Sequence, residues 1–234
     1  MLKNVTVMPD TKLSKILFFD KVDFEQFPER VVPLFGPNGI GKSTFISILE
    51  SNGFAKRGWN DNKKELAINI TRPTYCYSYM NTRDNVKTGS AVYTGKISDV
   101  MQFSRSYNSK NLSEGQAIIY SAYDLLRIID NQPIGDSWDT VLLFDEIDSG
   151  LSIDNIDFMM RKMKRVIKRR PDVMIVFSFN SPRVLKWFPN VLSMYDGTRL
   201  KLHTEDDMME VIRAHKKEFD KARKTKGLPK VFYE

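Results

Sequence analysis

The sequence lacks the features of secreted and membrane-spanning proteins. It contains one cysteine, Cys76, so no disulfide can form within the chain. This cysteine usage is typical of a reducing compartment. No apolar run approaches the roughly 20 residues that a membrane-spanning helix needs, and residues 1–10 lack the charged start and apolar core of a signal peptide. We therefore expect a cytoplasmic protein with no membrane span, in which Cys76 is a packed thiol.

The charge of the chain is unbalanced towards lysine and arginine. There are 36 of these against 29 aspartates and glutamates, which leaves a net charge of +7 at pH 7. Much of the excess lies in two predicted helices, at residues 161–170 and 216–226. Such a charge permits weak attraction to nucleic acid or to an acidic partner, and a solvated outer helix face also explains the first cluster. The 41% of hydrophobic residues and the length of 234 residues fit one domain, residues 1–234.

The apolar residues recur with the periods of strands and helices in alternation. Predicted strands cover residues 2–8, 14–20, 30–35, 65–70, 74–80, 138–144, 173–177 and 191–195. Predicted helices run from 42 to about 53, from 113 to 129, from 153 to 167 and from 205 to about 224, with shorter ones at 96–104 and 182–188. Strands that alternate with helices predict an α/β fold with a mainly parallel sheet.

A phosphate-binding loop occupies residues 36–44. Its sequence, Gly-Pro-Asn-Gly-Ile-Gly-Lys-Ser-Thr, follows a predicted buried strand and leads into a predicted helix. Backbone N–H groups and the helix dipole at such a turn favour a bound phosphate. We expect Lys42 to reach the β- and γ-phosphates and Ser43 to hold Mg²⁺. The candidate nucleotide-binding residues are Gly36, Pro37, Asn38, Gly39, Ile40, Gly41, Lys42, Ser43 and Thr44.

Two carboxylates, Asp145 and Glu146, follow the apolar run at residues 141–144. In a phosphate-loop enzyme the first such carboxylate holds Mg²⁺, and the second orients the attacking water. Alternation along a strand would place the two side chains on opposite faces. The alternative interpretation is a strand that simply ends at a polar surface. The candidate catalytic residues are therefore Lys42 and Glu146, and the candidate metal ligands are Ser43 and Asp145.

Residues 112–116, Leu-Ser-Glu-Gly-Gln, resemble the signature sequence Leu-Ser-Gly-Gly-Gln of ATP-binding cassette (ABC) ATPases, with Glu114 in place of the first glycine. Ser113 and Gln116 also have capping-box spacing, so an ordinary capped helix is the alternative. The resemblance implies a P-loop NTPase of the ABC type with N-terminal antiparallel strands and a small helical subdomain at about 81–130. It also implies that Ser113, Glu114, Gly115 and Gln116 complete the ATP site of a second copy, so that two nucleotides lie between two chains.

Two further segments occupy the positions of ABC motifs. Residues 147–151, which include Ser149 and Gly150, lie where the family has its D-loop. Residues 178–182 lie where the family has a switch segment, and Asn180 replaces the switch histidine. An asparagine can hydrogen-bond a phosphate oxygen but cannot carry charge. The resemblance therefore implies that Asn180 takes the switch role and that hydrolysis is slow.

Other family positions are less well matched. The chain has only two histidines, His203 and His215, and both come too late to replace the switch histidine. The glutamine expected after the strand at 74–80 is missing, so Asn81 is the candidate substitute at the metal. Phe24 and Phe27 are the candidates for stacking on adenine.

The spacing of the motifs separates the branches of the family. Ser113 and Asp145 lie further apart than in transporter cassettes, and Glu146 is not followed by Pro-Thr. The segment between Lys42 and Ser113 is too short for the coiled coil of chromosome-maintenance ATPases. The chain thus resembles the small, soluble, single-domain cassette ATPases of bacteria and mobile elements.

Three roles stay open for such an ATPase. The first is an ATP-driven homodimeric switch for a separate effector or nuclease, with defence against phage as one process it would serve. The second is a nucleic-acid-associated ATPase that uses the two basic helices. The third is the ATP-binding subunit of a membrane transporter.

Overall fold

The computed structural model describes residues 1–52, 66–72, 74–80, 114–134 and 138–228. Its strands are β1 (Leu2–Val7), β2 (Lys21–Asp23), β3 (Val31–Phe35), β4 (Leu66–Ile70), β5 (Thr74–Met80), β6 (Asp139–Asp145), β7 (Val173–Ser178), β8 (Asn190–Ser193) and β9 (Arg199–Lys201). Its helices are α1 (Lys12–Ile16), α2 (Lys42–Asn52), α3 (Glu114–Asn131), α4 (Ile153–Arg169) and α5 (Glu205–Thr225), with 3₁₀ turns at Phe24–Gln26 and Pro182–Lys186.

The central sheet has the strand order β5-β6-β7-β3-β8-β9. Its first five strands are parallel, and β9 pairs antiparallel with β8. The strands β3, β6 and β7 are buried along their whole length, which explains their continuous apolar sequences. The predicted α/β fold with a mainly parallel sheet is confirmed. Because β6, β7 and β3 are parallel neighbours, the loops that follow them emerge at one edge.

A second, antiparallel sheet has the order β2-β1-β4. Val5 on β1 lies opposite Val22 on β2 and Ile68 on β4. This sheet provides the N-terminal antiparallel strands that the family resemblance implies, but its second strand is not the predicted one.

The predicted strand at residues 14–20 is wrong, because this segment begins with helix α1. Thr11 caps the helix: its hydroxyl accepts a hydrogen bond from the Ser14 N–H at 3.2 Å. The Ser14 hydroxyl donates in turn to the Thr11 carbonyl at 2.9 Å. Leu17 and Phe19 are still buried, so the alternation of apolar residues reflects packing and not strand pairing.

Helix α4 covers one face of the sheet with a stripe of methionines. Met159, Met160 and Met163 have no exposed surface, and the basic residues of α4 occupy the other side of the helix. Its end is fixed by Arg170, which pairs with Asp172 at 2.6 Å and is 3% exposed. The helical period predicted for this segment is confirmed.

Helix α5 starts with a full capping box, in which Thr204 and Asp207 satisfy each other's backbone N–H groups. Its predicted extent is correct to within one residue. Cys76 is 1% exposed, as expected of a packed thiol.

Of the segment predicted to form a helical subdomain, about 81–130, the structure describes helix α3, and the subdomain itself stays a prediction. The rest of that segment, including the short helix predicted at 96–104, lies outside the described residues and stays a prediction. No helix in the described ranges has the length and apolarity that crossing a membrane requires.

Candidate functional site

The structure brings several predicted site residues to one edge of the central sheet. The loop at residues 36–41 follows β3, Asp145 ends β6, and Asn180 lies two residues after β7. These three strands are neighbours in the order β6-β7-β3. In open parallel sheets the crevice outside the carboxyl ends of the strands is where ligands bind.

The phosphate-binding loop depends on glycine at its two ends. Gly36 and Gly41 have φ angles of 150° and 107°, a range that other residues rarely adopt. A Cβ atom on Gly36 would lie 3.0 Å from the Ile40 side chain, and one on Gly41 would lie 3.1 Å from Leu17. The loop therefore curls tightly between β3 and α2, at a helix N-terminus of the kind that favours a bound phosphate.

Lys42, the first residue of α2, turns its side chain back into this loop. Its ammonium donates hydrogen bonds to the carbonyls of Gly36 at 2.6 Å and Pro37 at 3.4 Å, and the residue is 6% exposed. Burial lowers the pKa of Lys42 to about 8, while the nearby charges of Asp148, Glu146 and Asp145 oppose that shift. The ammonium is thus a desolvated cation bonded to two loop carbonyls, with the charges of three carboxylates acting on it from further away.

A serine on β7 bonds to both residues of the predicted carboxylate pair, to the side chain of one and the backbone of the other. The Ser178 hydroxyl donates to Asp145 Oδ1 at 2.6 Å and accepts from the Glu146 N–H at 2.6 Å. Ser178 has no exposed surface, and Asp145 is 4% exposed. The serine therefore fixes the carboxylate of Asp145 and the backbone of Glu146 at the same time. Sequence analysis placed Ser178 only at the start of the switch segment.

Glu146 leaves the strand through an unusual backbone conformation. Its φ angle of 48° lies in the left-handed region, which costs a non-glycine residue about 1 kcal/mol. Strand alternation ends at Asp145 and does not govern the direction of the Glu146 side chain. Burial raises the pKa of Glu146, the neighbouring charge of Asp145 adds to the rise, and Lys42 opposes it. A half-buried carboxylate with a raised pKa is a suitable base for a water molecule.

Asp148 is a site residue that sequence analysis did not single out. Its Oδ2 accepts hydrogen bonds from the backbone N–H groups of Asn180, at 2.8 Å, and Ser181. Its Oδ1 is buried and has no hydrogen-bond partner among the described residues. Burial raises the pKa of Asp148, while its backbone hydrogen bonds and the charge of Lys42 oppose the rise. The signal available in the sequence was a third carboxylate just after Asp145 and Glu146.

The structure assigns different environments to the predicted D-loop and switch residues. Ser149 lies in a turn closed by its N–H, which donates to the Glu146 carbonyl at 3.0 Å. Gly150 is exposed and has a φ angle of 68°. Asn180 is exposed, and its backbone is held by Asp148. The carboxylate of Asp148, which lies in the D-loop segment, therefore connects that segment to the backbone of the switch segment.

The oxygen donors needed for Mg²⁺ are available at this edge. Ser43 is exposed in the first turn of α2, and Asp145 ends β6. One hydroxyl and one carboxylate suit Mg²⁺, which usually keeps waters and phosphate oxygens as its other ligands. Among the described residues, no group of three or more His, Cys, Asp or Glu side chains could hold a metal ion. Asn81, the third predicted ligand, lies outside the described residues.

The predicted signature residues are only partly described. Ser113 lies outside the described residues, and Glu114, Gly115 and Gln116 form the first turn of α3. The two candidates for stacking on adenine are wrong. Phe24 and Phe27 are 0% and 1% exposed because the Phe24–Gln26 turn packs both rings into the core.

Comparisons with known proteins identify the fold. No protein-family model and no curated protein matches the sequence. A solved structure of an ATP-binding cassette of an ABC transporter in its ADP conformation matches with a TM-score of 0.52 and 14% identity, over 92% of this chain and 96% of that one. A second structure of the same cassette, described for its twinning, gives a TM-score of 0.54 and 13% identity over the same shares.

A further match is an ABC transporter in an inward-facing conformation. Its TM-score is 0.51 at 16% identity, over 88% of this chain and 85% of the matched chain. At these identities the likeness concerns the fold. The protein therefore has the fold of an ABC ATPase domain, as the three sequence motifs predict.

Proposed function

We propose that this protein is an ABC-type ATPase that binds ATP with Mg²⁺ in the loop formed by Gly36 to Thr44 and hydrolyses it. The observation that carries the proposal is the position of Lys42. Its desolvated ammonium lies inside the curled loop, bonded to loop carbonyls and within the field of Asp145 and Glu146. A polyphosphate at the N-terminus of α2 would give this cation a direct counter-ion.

The residues around the loop have separate roles in this proposal. Lys42 exchanges its carbonyl partners for phosphate oxygens and neutralises their charge. Ser43 and Asp145 would hold the Mg²⁺ ion, which would supply positive charge to neutralise the phosphates. Glu146 accepts a proton from the attacking water and orients that water in line with the phosphate bond that breaks. Ser178 keeps Asp145 and Glu146 at a fixed separation, so catalysis relies on positioning and electrostatics.

The proposal includes a dimer of two copies. Ser113 to Gln116 of one copy would face the nucleotide of the other, and the D-loop residues Ser149 and Gly150 would lie at the shared interface. ATP binding then closes the dimer, and hydrolysis opens it. We infer slow turnover because Asn180 stands where the family has a histidine and cannot carry charge.

A slow ATP-dependent dimer suits a cytoplasmic switch. The closed form would be recognised by a separate effector or nuclease, and defence against phage is a process that such a switch would serve. Stable capture of one soluble partner by the ATP-bound form would support this role.

A direct test of ATP binding uses Lys42→Ala and the exposed control Lys164→Ala. We expect the wild type and the control to bind a fluorescent ATP analogue with the same affinity, and Lys42→Ala to bind at least a hundredfold more weakly because a charged hydrogen-bond donor is lost from a buried site. Unchanged affinity in Lys42→Ala would overturn the assignment of the loop.

A second candidate function is the ATP-binding subunit of a transporter. The matched structures are described as parts of ABC transporters, and the shared fold suits this role as well. Expression of the protein with its native neighbours distinguishes the two. Recovery with integral membrane subunits would favour the transporter, and recovery with a soluble effector alone would favour the switch.

A third candidate, binding to nucleic acid, is favoured by the outer face of α4. Lys164, Arg165, Lys168 and Arg169 are all exposed there. Replacement of these four residues by Glu should abolish binding to DNA or RNA at low salt, and wild-type binding should fall steeply as salt rises. If the wild type binds no nucleic acid at low salt, this role is excluded.

A further inference from the structure

The end of helix α5 lies directly beside the phosphate-binding loop. Arg223 is 6% exposed, and its Nη1 donates a hydrogen bond to the carbonyl of Gly39 at 2.6 Å. Its guanidinium also lies over the ring of Phe219, with 5.4 Å between the guanidinium carbon and the ring centroid. This residue is therefore distinct from the exposed lysines that surround it in the basic cluster at 216–226.

Several contacts hold this end of α5 in place. The Lys226 ammonium donates to the carbonyls of Leu17 at 2.5 Å and Ser14 at 3.0 Å. The rings of Phe219 and Phe18 pack with centroids 4.8 Å apart. Leu17 also lies under the loop, since a Cβ atom on Gly41 would meet it at 3.1 Å. The helix and the phosphate-binding loop thus share one supporting segment, and Arg223 bridges the two.

The bond from Arg223 fixes the orientation of one peptide group in the loop. In a trans peptide the C=O and the following N–H point in opposite directions. With the Gly39 carbonyl held towards α5, the N–H of Ile40 must point away from α5, into the loop. It does so in the structure, where it donates to the Pro37 carbonyl at 3.3 Å, and the same carbonyl accepts from the Lys42 ammonium at 3.4 Å.

Gly39 makes such a restraint necessary. Its φ angle is 76°, and a glycine populates this and other backbone conformations readily. Without an external partner for its carbonyl, the peptide between Gly39 and Ile40 would depend on the long bond from the Ile40 N–H to the Pro37 carbonyl, at 3.3 Å. A turned peptide would break that bond and release the Pro37 carbonyl, which is also a partner of the Lys42 ammonium.

We propose that Arg223 is a positioning residue for the phosphate-binding loop: by holding the Gly39 carbonyl it preserves the turn closed by the Ile40 N–H and the Pro37 carbonyl, the carbonyl that Lys42 also contacts, in the shape that receives the phosphates of the nucleotide. The inference rests on the proposed ATP-binding function and deepens it, since it makes the affinity of the loop depend on the docking of α5. Arg223 acts through the loop backbone and needs no contact with the nucleotide.

The test compares ATP binding and turnover in Arg223→Met, which keeps most of the side-chain stem, with Lys224→Met at the exposed neighbouring position. For Arg223→Met we expect about a tenfold rise in the Kd of ATP and of ADP, because a charged hydrogen bond is lost. The KM should rise by the same factor, and kcat at saturating ATP should stay within twofold. Lys224→Met should match the wild type.

Two further variants separate positioning from a purely structural role. Phe219→Leu loosens the packing of α5 but retains the guanidinium, and it should leave the Kd within about threefold. In Arg223→Ala, millimolar guanidinium ion at constant ionic strength should restore much of the affinity, whereas sodium ion should not. If Arg223→Met proves unstable, the Kd of ATP is measured instead in Arg223→Ala, with and without guanidinium ion, and in Arg223→Lys, which keeps a cationic donor.

The outcomes distinguish this inference from the proposed function. If the wild type binds ATP and Arg223→Met binds it equally well, the positioning role is refuted and the proposed function stands. An affinity loss that Phe219→Leu reproduces and that guanidinium does not rescue also refutes positioning. Failure of the wild type itself to bind ATP would refute the proposed function.

Discussion

The ATP affinity of this protein should fall steeply as the pH rises above 8. Lys42 has a pKa of about 8 among the groups that surround it, yet it must carry its proton to attract phosphate. The phosphates of ATP would stabilise the charged form and raise this pKa towards or beyond its ordinary value of 10.5. Binding of ATP is therefore coupled to uptake of a proton whenever the pH exceeds the pKa of the free site.

The size of the effect follows from the titration of one group. At pH 7 about nine in ten molecules carry the charge, and at pH 9 about one in eleven does, so affinity should fall about tenfold over this interval. At higher pH the loss should continue at about a factor of ten per unit until the pKa of the complex is reached. At pH 8 about half a proton should enter the protein for each ATP bound.

The assay is calorimetric titration of the wild type with a non-hydrolysable ATP analogue and Mg²⁺ between pH 7 and 9.5, because replacing Glu146 would remove a charge that helps Lys42 to keep its proton. Two buffers with different ionisation enthalpies report the number of protons taken up. A control titration with ADP should show the same trend, since Lys42 also serves the β-phosphate. A Kd that is constant over this range, with no proton uptake at pH 8, would refute the described environment of Lys42.

Three substitutions, the last with a matched control, test the surrounding structure. Ser178→Ala should cost about 1–3 kcal/mol of unfolding free energy and lower kcat much more than it raises KM, because Asp145 and the backbone of Glu146 lose a buried partner; a wild-type kcat would show that this link is dispensable. The raised pKa of Asp148 means that its charge destabilises the fold above its unfolded-state pKa. Asp148→Asn should therefore be more stable than the wild type at pH 7 in urea unfolding, the gain should shrink towards pH 3, and a gain independent of pH would contradict the assignment. Arg170→Met should cost about 3–5 kcal/mol because Asp172 would stay buried without its partner, whereas Arg169→Met, whose pair with Asp130 is half-exposed, should cost under about 1 kcal/mol.

Local pattern was sufficient to predict the strand-loop-helix unit around Lys42. Each part of it is encoded by neighbouring residues: a buried strand by continuous apolar sequence, a curled loop by glycines, and a helix by its apolar period. The same holds for β6 with Asp145 at its end, and for α4 with its methionine stripe. These segments pack as their sequences suggest, so propensity and tertiary structure agree.

The predictions that were wrong depended on tertiary structure. Residues 14–20 alternate like a strand, but the side chain of Thr11 starts a helix and Lys21–Asp23 takes the place in the sheet. Phe24 and Phe27 have the ring that adenine stacking requires, but the 3₁₀ turn directs both into the core. No local pattern shows whether an aromatic residue faces solvent.

Long-range contacts also created the site features that the sequence did not indicate. Arg223 looks like one more solvated charge in a basic helix, and only the docking of α5 brings it to Gly39, 184 residues away in the sequence. Asp148 reaches Asn180 and Ser181 because β6 and β7 are neighbours in the sheet. Pairings of this kind become visible only when the strand order is known.

The central claim, an ATP-dependent dimer of two copies, is tested most directly by light scattering on Glu146→Gln with and without ATP and Mg²⁺. The account predicts the mass of one chain without nucleotide and twice that mass with ATP, and ADP should not produce the shift. A single-chain mass that persists at saturating ATP, with ATP binding verified in the same sample, would contradict it.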